Sequence, residues 1–133
     1  MTAAIRFEPA SATDSLRETF ARNGARIAAV DGACIMDKHS LLTALGHALE
    51  FARYYGVNWD AAEECLRDLQ QRHPRGVALF VDHAGALWQR LPREMGTLVS
   101  IWLSASDELS KGNIPLQLVF LLDESPSPPE RAG

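Results

Sequence analysis

Several common classes of protein are excluded by what this chain lacks. It has two cysteines, Cys34 and Cys65, too few for a disulfide framework and without C-x-x-C spacing. No run of 18 apolar residues occurs, so no membrane-spanning helix is expected. The opening "MTAAIRFEPASATDSLRETF" has no basic segment followed by an apolar stretch, so it does not read as a signal peptide. Positive charge is not in excess either. Thirteen Lys and Arg stand against 17 Asp and Glu, for a formal charge of −4. That argues against nucleic acid or an anionic membrane as a direct partner, since both select basic stripes. The expectation is a reduced, cytoplasmic, globular protein.

What is present fits one domain. A chain of 133 residues buries roughly two-thirds of its unfolded surface, enough for a core without covalent staples. Near the start, "TDSLRETFARNG" reads as a short helix with Thr13 as its cap, a Leu16/Phe20 pair four residues apart and Asn23-Gly24 as its stop. This helix, over Ser15–Arg22, is expected either to pack on a sheet or to serve in oligomerisation. "ARIAAVDG" reads as a strand ended by Asp31-Gly32. "DKHSLLTALGHALEFA" places Leu41, Leu42, Leu45, Ala48 and Leu49 at helical spacing behind Asp37 as a cap. Asn58 is placed to cap the next helix. "GVALFVD" and "PLQLVFLLD" are near-continuous apolar runs, as strands buried on both faces should be. Between them lie "GALWQRL" and a longer helix with Pro92 near its first position. The closing "DESPSPPERAG" has the composition of a disordered tail. Strands separated by helical crossovers predict an α/β fold with a three-stranded parallel sheet and covering helices in two layers. The expected divisions are an extension over 1–25, the domain over 26–123 and the tail over 124–133.

The stretch "YYGVNWDAAEECLRDL", residues 54–69, is the most informative. On a helical wheel of about 100° per residue, Trp59, Ala62, Cys65, Leu66 and Leu69 gather in the sector facing the core. Asp60, Glu64, Arg67 and Asp68 lie opposite, with Glu63 toward the boundary. Asp60, Glu64 and Asp68 are four apart and form one carboxylate ridge. By itself such a ridge is most often a solvated face. Tyr54 and Tyr55 just before it are the residue type from which interface hot spots are built. Acid/base catalysis by Asp60 and Glu64 would need a raised pKa inside a cleft, which a convex helix face does not supply.

Other constellations are weaker. His39, His47, His73 and His83 stand in no metal-binding frame, and neither a metal nor another cofactor is expected. Asp82-His83 follows a strand, where α/β folds often carry sites. No G-x-S-x-G motif accompanies the pair, so an enzyme is not expected.

Through residues 54–69, "DGACIMDKHSLLTALGHALEFARYYGVNWDAAEECLRDL" and the strands "GVALFVD" and "IPLQLVFLLD", the chain resembles the barstar family of ribonuclease inhibitors, from about Ile27 to Asp123. The matching residues are Tyr54, Tyr55, Gly56, Asn58, Trp59, Asp60, Ala61, Glu64, Cys65 and Leu66. The resemblance implies the same parallel α/β sheet. It also implies an immunity function, in which the acidic helix and the loop before it enter the basic active site of a small ribonuclease in place of phosphate. The partner-binding positions it implies are Tyr54, Asn58, Asp60, Glu63, Glu64, Arg67 and Asp68, with Asp60 and Glu64 as the phosphate mimics and Trp59 in the core. Two positions depart from the pattern. Glu64 stands where aspartate is frequent, and Glu63 stands where the best-known member of the family has an aromatic. A further acid that the family draws from its last helix has no clean counterpart here, although Asp107 and Glu108 lie nearby. The alternative is an interaction module of the same family whose basic partner is not a nuclease.

Overall fold

The computed structural model describes residues 4–51, 56–110 and 116–123. In chain order the elements are β1 (Ile5–Pro9), α1 (Thr13–Arg22), β2 (Arg26–Asp31), α2 (Lys38–Ala48), α3 (Trp59–Arg72), β3 (Val77–Asp82), α4 (Ala84–Arg90), α5 (Pro92–Ser110) and β4 (Leu116–Leu122). Short 3-10 turns over Ala10–Ala12 and Gly32–Cys34 lead out of β1 and β2.

The strands form one parallel sheet in the order β1-β4-β3-β2. The α/β class and parallel pairing agree with expectation, but the sheet has four strands, not three. The additional strand is β1, paired with β4 from Ile5↔Leu118 to Pro9↔Leu122. Its sequence, Ile-Arg-Phe-Glu-Pro, alternates for only five residues and ends on proline. Such a segment becomes a strand through its partner rather than through its own propensity, and proline is tolerated there because β1 is an edge.

Both faces of the sheet carry helices, so the arrangement is not two-layered. Val77, Leu79, Val81, Leu116, Leu118 and Phe120 point to the larger core, which they share with α2, α3, α4 and α5. The alternate residues Ala78, Phe80, Val119 and Leu121 point the other way and meet Leu16 and Phe20 of α1. Phe20 lies edge-on to Phe80, and the Arg17 guanidinium sits 4.9 Å from the centre of the same ring. Of the two roles open to α1, packing on the sheet is the one observed. Because β3 and β4 are covered on both sides, their apolar residues run without alternation.

Local signals set the helix ends. Asp37 accepts from the Ser40 backbone N–H at 2.8 Å, and Ser40 Oγ accepts from the Asp37 N–H at 3.1 Å, a reciprocal capping box. Asn58 caps α3 by accepting from the Ala61 N–H at 2.8 Å. Pro92 is the first residue of α5. Thr13 does not cap α1 as expected. Its hydroxyl donates to the Ala10 carbonyl at 2.8 Å, and Ala12 takes the cap position. The 3-10 turn thus delivers the chain into α1 already wound. At the other end of α1, Gly24 adopts φ +85°. The N–H groups of Gly24 and Ala25 reach the carbonyls of Ala21 and Phe20, the pattern of a Schellman stop.

At the carboxyl ends of the strands, Gly32 lies against the backbone of β3 and α4. A Cβ there would stand 2.7 Å from the Asp82 carbonyl oxygen and 2.8 Å from that of His83. Neither oxygen can yield without moving the end of β3 or the start of α4. Gly32→Ala is therefore expected to destabilise the fold by about 1–3 kcal/mol, read as a lower urea midpoint with an unchanged slope.

Candidate functional site

The geometry of α3 follows from its inner edge. Ala62, Leu66 and Leu69 are buried in the larger core, with Trp59 packed against it. Rotation of the helix is further restrained by polar bridges to α5. The Trp59 indole N–H donates to Glu94 Oε1 at 3.1 Å, and an Arg67 guanidinium nitrogen donates to Ser104 Oγ at 3.3 Å. The same nitrogen lies 2.7 Å from Glu63 Oε2, an i,i+4 ion pair. At the far end, Arg72 donates to the carbonyls of Leu49 (2.8 Å) and Glu50, which tie the last turn of α3 to the end of α2.

With the inner edge fixed, the outer edge is determined. Asp60, Glu64 and Asp68 are exposed and lie about 6 Å apart along the axis. Among the described residues no cation of the chain pairs with them. Asn58 is exposed and occupied by its capping bond, while Glu63 and Arg67 are half-buried and bonded to each other. The structure therefore brings six of the seven expected residues onto or beside one helix and divides them into an outward anionic row and an internal ion pair. Tyr54 lies outside the described residues. Before the cap, Val57 has φ +50°, a strained conformation for a β-branched residue. Its side chain packs against the core, which offsets that strain. Cys65 is half-buried.

The roles of Glu94 and Ser104 in holding α3 were not legible in the sequence, because they depend on how α5 lies beside it. The side chains of Asp107 and Glu108 lie outside the described residues.

A second group of titratable residues occupies the carboxyl edge of the sheet. Asp31 and Asp82 are register partners at the ends of β2 and β3. His83 pairs with Asp31 rather than with its neighbour Asp82, Nδ1 to Oδ1 at 2.9 Å. It does so from a left-handed backbone, φ +53°. Cys34 Sγ lies 3.5 Å from the other Asp31 oxygen. The hydrogen bond to Asp31 raises the His83 pKa, and the negative fields of Asp123 and Asp82 add to it. The same bond lowers that of Asp31, helped by the Ala33 N–H. The Cys34 thiol is pushed up by the carboxylate beside it, the opposite of what a thiolate nucleophile needs. Among the described residues no three His, Cys, Asp or Glu side chains are grouped to hold a metal ion, and no helix is long and apolar enough to cross a membrane.

Fold and surface together define an α/β domain that carries a rigid anionic helix on a parallel sheet. The family model described as Barstar (barnase inhibitor) matches residues 25–121, and the chain belongs to that family. Members of the family are inhibitors rather than enzymes, and a ribonuclease of the barnase type is the partner at the family level. None of the curated proteins matches the chain. The match starts after β1 and α1, which therefore lie outside the shared region.

The His83–Asp31 pair has a defined pH signature. A raised His83 pKa contributes stability that is full below the unfolded value, near 6.5, and is lost as pH rises through the folded value. A lowered Asp31 pKa contributes stability above about 3.9 that is lost as pH falls through its folded value. The pair thus stabilises most in the window between these two ordinary values. His83→Asn tolerates the left-handed backbone but removes the charge. The difference in melting temperature between parent and variant is expected to be largest in that acidic window and to shrink at alkaline pH. An equal difference at every pH would show the pair to be electrostatically silent.

Proposed function

We propose that this protein is a stoichiometric ribonuclease inhibitor, the immunity partner of a small toxin nuclease, and that it binds through α3 and the loop preceding it. The observation that carries this reading is the outward row of Asp60, Glu64 and Asp68 on a helix whose opposite edge is locked in the core. A ribonuclease active site gathers cations to hold phosphate. Carboxylates held on a rigid support take the place of phosphate there with charge-assisted hydrogen bonds, and the backbone that carries them needs no further ordering. Asp60 and Glu64 are the mimics in this reading. Tyr54 and Asn58 contribute from the loop and cap, and Asp68 extends the field that steers encounter.

Glu63 and Arg67 take a more specific role in this interface. Because their charges neutralise each other at 2.7 Å, they add little to the net field. Glu63 sits where the best-known member of the family has an aromatic, and the pair gives the partner a polar, zwitterionic contact. The partner nuclease is then one whose rim accepts hydrogen bonds at that place instead of an aromatic ring.

The test is titration of a barnase-type ribonuclease with the protein, followed by RNA cleavage and by calorimetry. Protection should saturate at a one-to-one ratio. Asp60→Ala combined with Glu64→Ala leaves buried cations of the nuclease unpaired, at a cost of about 3 kcal/mol or more, roughly a hundredfold in Kd. Circular dichroism should remain that of the parent, since both residues are exposed. Equal affinity of the double variant and the parent would remove the ridge from the mechanism. Capture of a basic partner without ribonuclease activity would instead favour the non-nuclease alternative.

A further inference from the structure

Among the described residues β1 and β2 are the two edges of the sheet, and β1 is the edge that carries an exposed aromatic ring and an ion pair. Leu118 donates its N–H to the Ala4 carbonyl at 2.8 Å. Alternation then turns the backbone groups of Ala4, Arg6 and Glu8 toward β4 and those of Ile5, Phe7 and Pro9 away from it. Among the described residues no strand pairs with that outer side. Phe7 is 53% exposed although it stacks on Phe120 and meets Trp88. Leu122, the register partner of Pro9, lies on the same face and is also exposed. On the opposite face Arg6 and Glu8 form an ion pair at 3.0 Å.

We infer that this edge pairs with β1 of a second copy of the chain, antiparallel about a two-fold axis through Phe7, to give a continuous eight-stranded sheet. The charge pattern selects both the partner and the register. With Phe7 opposite Phe7 of the other copy, each Arg6 faces a Glu8 at a non-hydrogen-bonded position, where side chains approach most closely. A slip by one hydrogen-bonding step in either direction sets Arg6 against Arg6 or Glu8 against Glu8, which is repulsive. The Phe7 residues exchange two N–H···O=C bonds. Each Ile5 N–H meets the Pro9 carbonyl of the other copy, while Pro9 has no N–H to return. Four bonds form, and the contact is isologous and closed. The two exposed phenyl rings cover each other on the Phe7 face. Five residues on each side form an interface below the roughly 1,000 Å² of a firm complex, so the dimer forms in a concentration-dependent manner.

Sedimentation equilibrium of the full chain from micromolar to millimolar concentration should show this dimer. Arg6→Glu and Glu8→Arg each place like charges opposite one another and should each weaken dimerisation by about tenfold or more. An equimolar mixture of the two variants restores both attractive pairs and should give a heterodimer tighter than either variant alone. In the unsubstituted protein, hydrogen exchange at the Phe7 amide should slow as concentration rises, a readout that does not depend on how well any variant folds. A parent that stays monomeric throughout would overturn the proposal. So would a dimer indifferent to both reversals, or a mixture no tighter than its components.

Discussion

The contact on which the rest depends is the packing of the inner edge of α3 into the core beneath it. Ala62, Leu66 and Leu69 are removed from water there, each leucine contributing roughly 1.5–3 kcal/mol. A helix offers only one angle at which that edge is down, so burial dictates where Asp60, Glu64 and Asp68 point. Like charges four apart repel by a few tenths of a kcal/mol per pair. The apolar term is larger by an order of magnitude, and it holds in place a row that would not gather by itself. The bridges from Trp59 to Glu94 and from Arg67 to Ser104 then restrain rotation, which apolar contact alone leaves comparatively free. What is fixed is the backbone of the row, while its exposed side chains keep their rotamer freedom.

The sheet imposes a second constraint. All four strands are parallel, so their carboxyl ends come to the same edge and bring Asp31, Asp82 and His83 together. In many α/β proteins that edge is where ligands bind. Here contacts within the chain cross it, with the His83 and Asp31 side chains each 48% exposed. His83 bonds Asp31, Arg90 donates to the Ile35 carbonyl at 2.8 Å, and Gly32 permits near-contact with two backbone oxygens. The chemistry that sequence order places at this edge fastens α4 over the strand ends, and the exposed anionic row lies on a helix face instead.

Much of this was legible in the sequence for identifiable reasons. Strands β3 and β4 declare themselves because they are covered on both faces and cannot alternate. The caps at Asp37 and Asn58 are local chemistry, visible at three-residue range. The division of α3 into buried and exposed edges follows from period alone. What could not be read depends on distant partners. Strand β1 exists because β4 offers it an edge. Thr13 is displaced from its cap by a turn that β1 sets up, and α1 adds a layer because β3 and β4 have a second apolar face to cover. Glu63 and Arg67 are neighbours on a wheel, but the contact of Arg67 with Ser104 requires α5 to lie alongside.

The segment before residue 25, outside the shared family region, resolves a problem that the shared region creates. Strand β4 is a seven-residue stretch with six of its residues buried. Left at the end of the sheet, so apolar a strand would present a full row of unpaired backbone groups, the feature that invites indiscriminate association. Strand β1 covers it and substitutes an edge that is short, charged and ended by proline. Those features limit pairing to strands whose charges match, and a strand that carries Arg6 and Glu8 on either side of Phe7 is its own match. The same residues that protect the sheet against indiscriminate association therefore specify the one pairing that remains favourable.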